Sequence, residues 1–190
     1  MLWLVLVLTV APHTAHAFDV DELMAMMGRV ETSSVAFEET KYVATLTAPI
    51  VRRGTLRYVR PDRLEMHVVT PFFERMDIVG NVLTIETRRG VRQVDLSSEP
   101  GAAAWVASIR ATLAGDRPAL ARYFTLQLSG QAARWTLTLV PLAPSLSSVI
   151  QGITVDGAHA QLTRIEVDER AGDRTVLVVQ PSLSNQGGSK

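Results

Sequence analysis

From Ser33 to Ser98 apolar and polar residues alternate with a period of two. SSVAFEETKYVATLT, RRGTLRYVR, DRLEMHVVT, FFERMDIVG, NVLTIETRR and VRQVDLS are strand-length pieces. They are separated by Ala48-Pro49, Arg60-Pro61-Asp62, Pro71, Gly80-Asn81 and Arg89-Gly90, all of them turn chemistry. Short alternating strands joined by tight turns predict an antiparallel meander. Leu56 and Tyr58 share one face of the second piece, and Leu64, Met66 and Val68 share one face of the third. Arg63, Glu65 and His67 lie opposite. Arg60 falls at the end of the Leu56–Tyr58 row, just before Pro61. Alternation alone leaves two places for it, inward at the rim or turned to solvent where the proline ends the strand.

Before and after this region the period lengthens. FDVDELMAMMGRV, residues 18–30, reads as a helix capped by Asp19 or Asp21, with Val20, Leu23, Met24 and Met27 on one face. In PGAAAWVASIRATLAGDRPALARYF, Ala102, Trp105, Ile109 and Leu113 recur at helical spacing, widened by Ala103, Val106 and Ala107. Gly115 ends that helix. Asp116 opens another with Pro118 in its first turn, carrying Leu120, Tyr123 and Phe124. Strand periods return in FTLQLSG, RWTLTLVP, IQGITVDG, QLTRIEVDE and RTVLVVQP, with Trp135, Leu137 and Leu139 set against Thr136 and Thr138. PSLSSVI reads as one helical turn. The prediction is a mainly β chain with some α: roughly ten antiparallel strands in one strongly curved sheet or incomplete barrel. Its short helices bury their stripes on the concave face as a lid over an apolar cavity. The predicted lining is Leu56, Tyr58, Leu64, Met66 and Val68 from the first strands, Leu23, Met27, Trp105 and Ile109 from the helices, and Trp135 and Leu137 from the later strands. Met24, Met26, Met27 and Met66 add adaptability to it.

Composition narrows the function. The net charge of the 190 residues is zero and no basic stripe is present, which argues against a nucleic-acid partner. There is no cysteine, hence no disulfide, thiolate metal site or thiol nucleophile. MLWLVLVLTVAPHTAHA places an apolar run, a breaker at Pro12 and Ala15-His16-Ala17 at the N-terminus. It predicts a signal peptide over residues 1–17, cleaved after Ala17, so that the protein is exported. The domain then spans 18–182, with a flexible polar tail over 183–190. No H-E-x-x-H, G-x-S-x-G, Walker loop or G-x-G-x-x-G occurs. His67 is expected at the surface. Asp77, Glu86, Asp168 and Glu169 read as scattered outward carboxylates without an acid/base pair. No catalytic residue, metal or cofactor is expected. An Arg60 at the rim would carry five donors to the exposed carbonyls at the C-terminal ends of the lid helices, a latch that cargo can break.

Gly54, Leu56, Tyr58, Arg60-Pro61 and Leu64, followed by Pro71 and IVGNVLTI, together resemble the LolA family of periplasmic lipoprotein carriers. The order of elements is similar as well. The resemblance implies an unclosed β-barrel with a helical lid, the family's cavity arginine at Arg60 and a cavity apolar residue at Leu64. It implies a monomeric periplasmic carrier, an inner-membrane transporter as donor and an outer-membrane acceptor. The chain departs from the family in its late segment, which lacks F-x-F-x-P-x-G and a final strand. That departure points to a divergent member whose cargo is lipoprotein or another acylated molecule, such as a glycolipid or polyene lipid. The alternative is a lipid-sensing or protein-interaction module on the same half-barrel. A hydrolase is disfavoured by the missing bases.

Overall fold

The computed structural model describes residues 18–180, apart from the side chains of residues 100–102 and 105. The expected signal peptide, the expected tail and the side chain of Trp105 lie outside the described residues. The first half runs α1 (Val20–Met27), β1 (Thr32–Tyr42), β2 (Ile50–Val59), β3 (Arg63–Thr70), β4 (Glu74–Val79), β5 (Val82–Thr87) and β6 (Gly90–Asp95). A 3-10 turn (Leu96–Ser98), α2 (Pro100–Ala114) and α3 (Arg117–Ala121) follow. The second half is β7 (Phe124–Gln131), β8 (Arg134–Pro141), α4 (Pro144–Ser147), β9 (Ile150–Ala158), β10 (Gln161–Glu169) and β11 (Arg174–Val179).

Eleven strands make one sheet in the order β6-β5-β4-β3-β2-β1-β11-β10-β9-β8-β7. Two meanders are joined along a seam where β1 meets β11, with Phe37 opposite Val179 and Tyr42 opposite Arg174. At the end of that seam the Arg174 guanidinium stands 4.6 Å from the centre of the Tyr42 ring. β6 and β7 are neighbours in sequence but opposite edges of the sheet. The chain between them is helical, and the barrel is left unclosed.

The inward rows are apolar along most of their length. Leu56, Tyr58, Leu64, Met66, Val68, Trp135, Leu137, Leu139, Ile165 and Val167 are all buried. Leu23, Met24 and Met27 of α1, Val106, Ile109 and Leu113 of α2, Leu120 of α3 and Leu146 of α4 complete the same core. Each such side chain stabilises the fold by about 1.5–3 kcal/mol.

Local chemistry sets the helix ends. The Asp19 carboxylate accepts from the Glu22 amide at 2.9 Å, and that of Asp116 from the Ala119 amide at 2.9 Å. Gly115 ends α2 with a φ of 67°, a region that glycine enters without steric cost. Three expectations need correction. α3 stops at Ala121, so Tyr123 is exposed and Phe124 opens β7 instead. The buried face of α2 is wider than the predicted stripe and includes Ala104, Ser108, Ala111 and Thr112. The cause is that α1, α3 and α4 all pack on it. The hydroxyl of Thr112 is satisfied within the helix, donating to the Ser108 carbonyl at 2.7 Å. His67 is half-buried, not exposed, and its Nε2 is enclosed without a partner. It is flanked in register by Thr55 and Arg75.

Gly54 is required by a bulge. The β2–β3 register shifts between Arg53 and Gly54, and a Cβ at Gly54 would lie 1.7 Å from the His67 carbonyl oxygen. Gly54→Ala is therefore expected to cost about 3 kcal/mol, a fall in Tm of roughly 6–12 °C. Gly152→Ala, where the nearest atom would be 3.6 Å away, should shift Tm far less. Equal shifts in thermal unfolding would contradict the bulge as the reason for the glycine.

Candidate functional site

The inward row of β2 reads Arg52, Gly54, Leu56, Tyr58, and Arg60 follows at its end. An arginine stands at each end of an apolar row, and the two do different things.

At one end Arg60 is exposed at the rim, and its Nη1 donates to the carbonyl of Gly28, the C-cap of α1. Arg110 of α2 makes a parallel contact. Its Nη1 donates to the Gly80 carbonyl at 2.5 Å, and its Nη2 lies 3.4 Å from the Asp62 carboxylate. Gly80 in turn donates its amide to Asp62 at 3.2 Å, which ties the β4–β5 turn to the β2–β3 turn. Arg117 at the start of α3 holds Asp21 of α1 at 2.6 Å. Beneath them Tyr58 is buried and donates its hydroxyl to the Pro61 carbonyl at 3.3 Å. Burial pushes the Tyr58 phenol above its ordinary range, against the pull of Arg60 and Arg110. α1 and α2 also meet backbone to backbone: a Cβ at Gly115 would lie 2.1 Å from the Met24 carbonyl oxygen. The helices are thus fastened at the rim by a few charged contacts: two guanidinium-to-carbonyl hydrogen bonds, from Arg60 and the partly buried Arg110, and one ion pair exposed on both sides, Arg117–Asp21, of a kind that contributes only about 0–1 kcal/mol.

At the other end Arg52 points into the half-barrel. Its Nη2 and Nε lie 2.6 and 2.9 Å from Glu39 Oε1. Glu39 is only 2% exposed, on the inward row of β1 beyond Val35 and Phe37. Arg52 Nη1 is also 3.7 Å from Glu74. Lys41, next on the β1 row, is 3.6 Å from Glu169. Glu39, Arg52, Lys41 and Glu169 border a cavity of about 470 Å³ whose apolar wall is Met66, Met76, Val149, Ile150 and Val167. Glu99, at the N-terminus of α2, completes the polar side without a capping bond from its side chain. A second space of about 50 Å³ is apolar and lies among Val30, Val35, Leu56, Tyr58, Leu113 and Leu162.

Of the predicted lining, Leu56 and Tyr58 border the small space and Met66 the large one. Leu64, Val68, Trp135 and Leu137 of the sheet and Leu23, Met27 and Ile109 of the helices are packed together in the core. Glu169, expected outward, borders the large cavity, because it shares the parity of Ile165 and Val167. Sequence reasoning missed Glu39, Lys41, Arg52, Glu99 and Arg110. Parity was the available signal for three of them: Arg52 is two residues before Gly54, and Glu39 and Lys41 are two and four beyond Phe37. Nothing local marked Arg110, since its acceptors come from distant turns. Among the described residues no group of three or more His, Cys, Asp or Glu is arranged to hold a metal ion. No helix among them is long and apolar enough to cross a membrane.

An unclosed antiparallel barrel plugged by short helices, with a cavity opening on its inner face, defines a half-barrel binding fold. Residues 12–185 match the family described as outer membrane lipoprotein carrier protein LolA-like, and the chain belongs to that family. A search of curated proteins finds no match. Among solved structures, a LolA superfamily protein from Nitrosomonas europaea is 10% identical, covering 86% of this chain and 92% of that one, with a TM-score of 0.47. The lipoprotein LppX of Mycobacterium tuberculosis is 14% identical, covering 83% and 93%, with a TM-score of 0.43. The MucA/MucB complex of Pseudomonas aeruginosa contains a chain 12% identical, covering 90% of this chain and 62% of that one, with a TM-score of 0.47.

The Glu39–Arg52 pair gives a direct test of the charged end. Glu39→Ala leaves a partly shielded guanidinium on an apolar row. It should cost about 1–3 kcal/mol, less than for a fully buried pair because Arg52 is 29% exposed. Replacing both partners, as Glu39→Leu with Arg52→Met, should recover most of that loss in denaturant unfolding. A double variant no more stable than Glu39→Ala would show that the pair is not the relevant unit.

Proposed function

We propose that the protein is a periplasmic carrier. It sequesters the acyl chains of a lipidated cargo, lipoprotein or another acylated molecule, and moves it from an inner-membrane transporter toward an outer-membrane acceptor. The supporting observation is that an apolar inner face is covered by helices held at the rim by only a few polar contacts. A second sheet would cover such a face permanently; helices held by a few polar contacts can be displaced. An acyl chain entering the half-barrel gains about 0.8 kcal/mol per buried methylene, on the order of 12 kcal/mol for sixteen carbons before ordering costs. That exceeds the rim contacts by a wide margin and can offset part of the helix burial that is lost. Family membership and the leader-like N-terminal sequence support the periplasmic setting and the transfer role.

The residue assigned the latch is Arg60. In the empty protein it ties the end of α1 to the sheet; on loading, α1 leaves and the bond is broken. A lipid-sensing or interaction module is the second reading. It is favoured by Val69 and Phe72, exposed at 68% and 75% where β3 leads toward β4, a surface suited to a macromolecular contact.

Arg60→Leu should load cargo normally, because entry is driven by apolar burial. It should release cargo about three- to tenfold more slowly, because the closed empty state loses a charged hydrogen bond weakened by its exposure. The assay is transfer of an acylated fluorophore between two vesicle populations, with loading and unloading scored separately. Unloading at the parent rate would reduce Arg60 to a surface residue at a strand end.

A further inference from the structure

The charges on the inner face are not evenly matched. Arg52 is engaged by Glu39 and lies near Glu74, and Lys41 faces Glu169. Both cations bordering the large cavity are already opposed by carboxylates. Glu99 remains, exposed at the cavity edge, with no capping hydrogen bond from its side chain at the start of α2. The cavity border thus carries three carboxylates, Glu39, Glu99 and Glu169, against two cations, Lys41 and Arg52. Directly beside these charges stands the wall of Met66, Met76 and Val167. An apolar wall merging into a charged border is the shape of a site for an amphiphile. The acyl chain lies along the methionines and the head group stays among the charges.

The geometry points to a head-group site in this cavity selective for an acyl amphiphile bearing a protonated amine, in a head that is zwitterionic or cationic overall. The inference rests on the carrier reading and adds what the cargo's polar end must be. An anionic head would have to compete with Glu39 for Arg52 or with Glu169 for Lys41, and would still face the unmatched Glu99. An ammonium can meet Glu99, which belongs to neither pair, and leave both pairs in place. Selection arises from the difference between the two heads, the repelled one contributing as much as the attracted one. Because Glu99 is exposed, its share is screened by salt over about 8–10 Å at physiological ionic strength.

The test compares two lysophospholipids with the same sixteen-carbon chain, below their critical micelle concentrations, by displacement of a fluorescent fatty acid. Lysophosphatidylethanolamine carries the amine and no net charge; lysophosphatidylglycerol lacks the amine and is anionic. The expected result is at least fivefold tighter binding of the ethanolamine lipid at low salt, shrinking as salt is raised. Glu99→Lys, at an exposed position, turns the surplus from negative to positive and should abolish or reverse the preference. Equal binding of the two lipids, or a preference for the glycerol lipid, overturns head selection while leaving the carrier reading standing. A fivefold preference that survives Glu99→Lys unchanged overturns the assignment to this cavity. Failure of the fluorescent fatty acid and both lipids to bind overturns the carrier reading and this inference with it.

Discussion

One feature of the sheet governs the rest: its two edges, β6 and β7, do not pair. β6 and β7 would close the barrel, but the chain between them is committed to helix by Pro100 in the first turn of α2 and by the caps at Gly115 and Asp116. An antiparallel sheet left open has one apolar face and no partner sheet to bury it against. The connection that prevents closure supplies the cover. α2 and α3 fold back onto the inner rows, and α1 joins them against Gly115. Core and cover are thus made by the same segment, and a molecule that competes for the inner rows competes with these helices.

Forces of different kind act along the inner face. In the middle, aliphatic and aromatic side chains from nearly every element interlock, and that burial dominates the stability. At one end Arg60, Arg110 and Arg117 fasten the helices through contacts to Gly28, to Gly80 and Asp62, and to Asp21. At the other end the sheet carries charges inward, Glu39 with Arg52 and Lys41 with Glu169. Weak fasteners at one end and a charged, open cavity at the other give the half-barrel a direction. The charged end is where a head group can remain solvated while its chain goes in.

Much of this was legible in the sequence, for identifiable reasons. Period-two alternation with turn residues between the pieces specifies a meander, and the inward parity of Leu56, Tyr58, Leu64, Met66 and Val68 follows directly from it. Asp19, Gly115 and Asp116 mark helix ends because they satisfy or release particular backbone groups. Parity also placed Arg52, Glu39 and Lys41 on the inward rows. They were passed over because a charged side chain on a strand reads as outward unless its partner is known, and these partners come from other strands. The buried small face of α2, the early end of α3 and the Arg110 contacts follow from the packing of distant segments, which no local pattern encodes. His67 is half-buried rather than exposed, flanked across the ladder by Thr55 and Arg75, pairings that the alternation of its own strand does not reveal.

In the proposed carrier, acyl chains and helices compete for one apolar surface. Amide hydrogen exchange of the full chain, with and without a saturating sixteen-carbon fatty acid, tests it directly. Competition requires that Leu23–Met27 of α1 exchange faster when the ligand is bound, while Thr136–Leu139 of β8 stay as protected or become more so. Protection of α1 that is unchanged or increased by a bound acyl chain would mean that the helix is permanent core, and the competition would not exist.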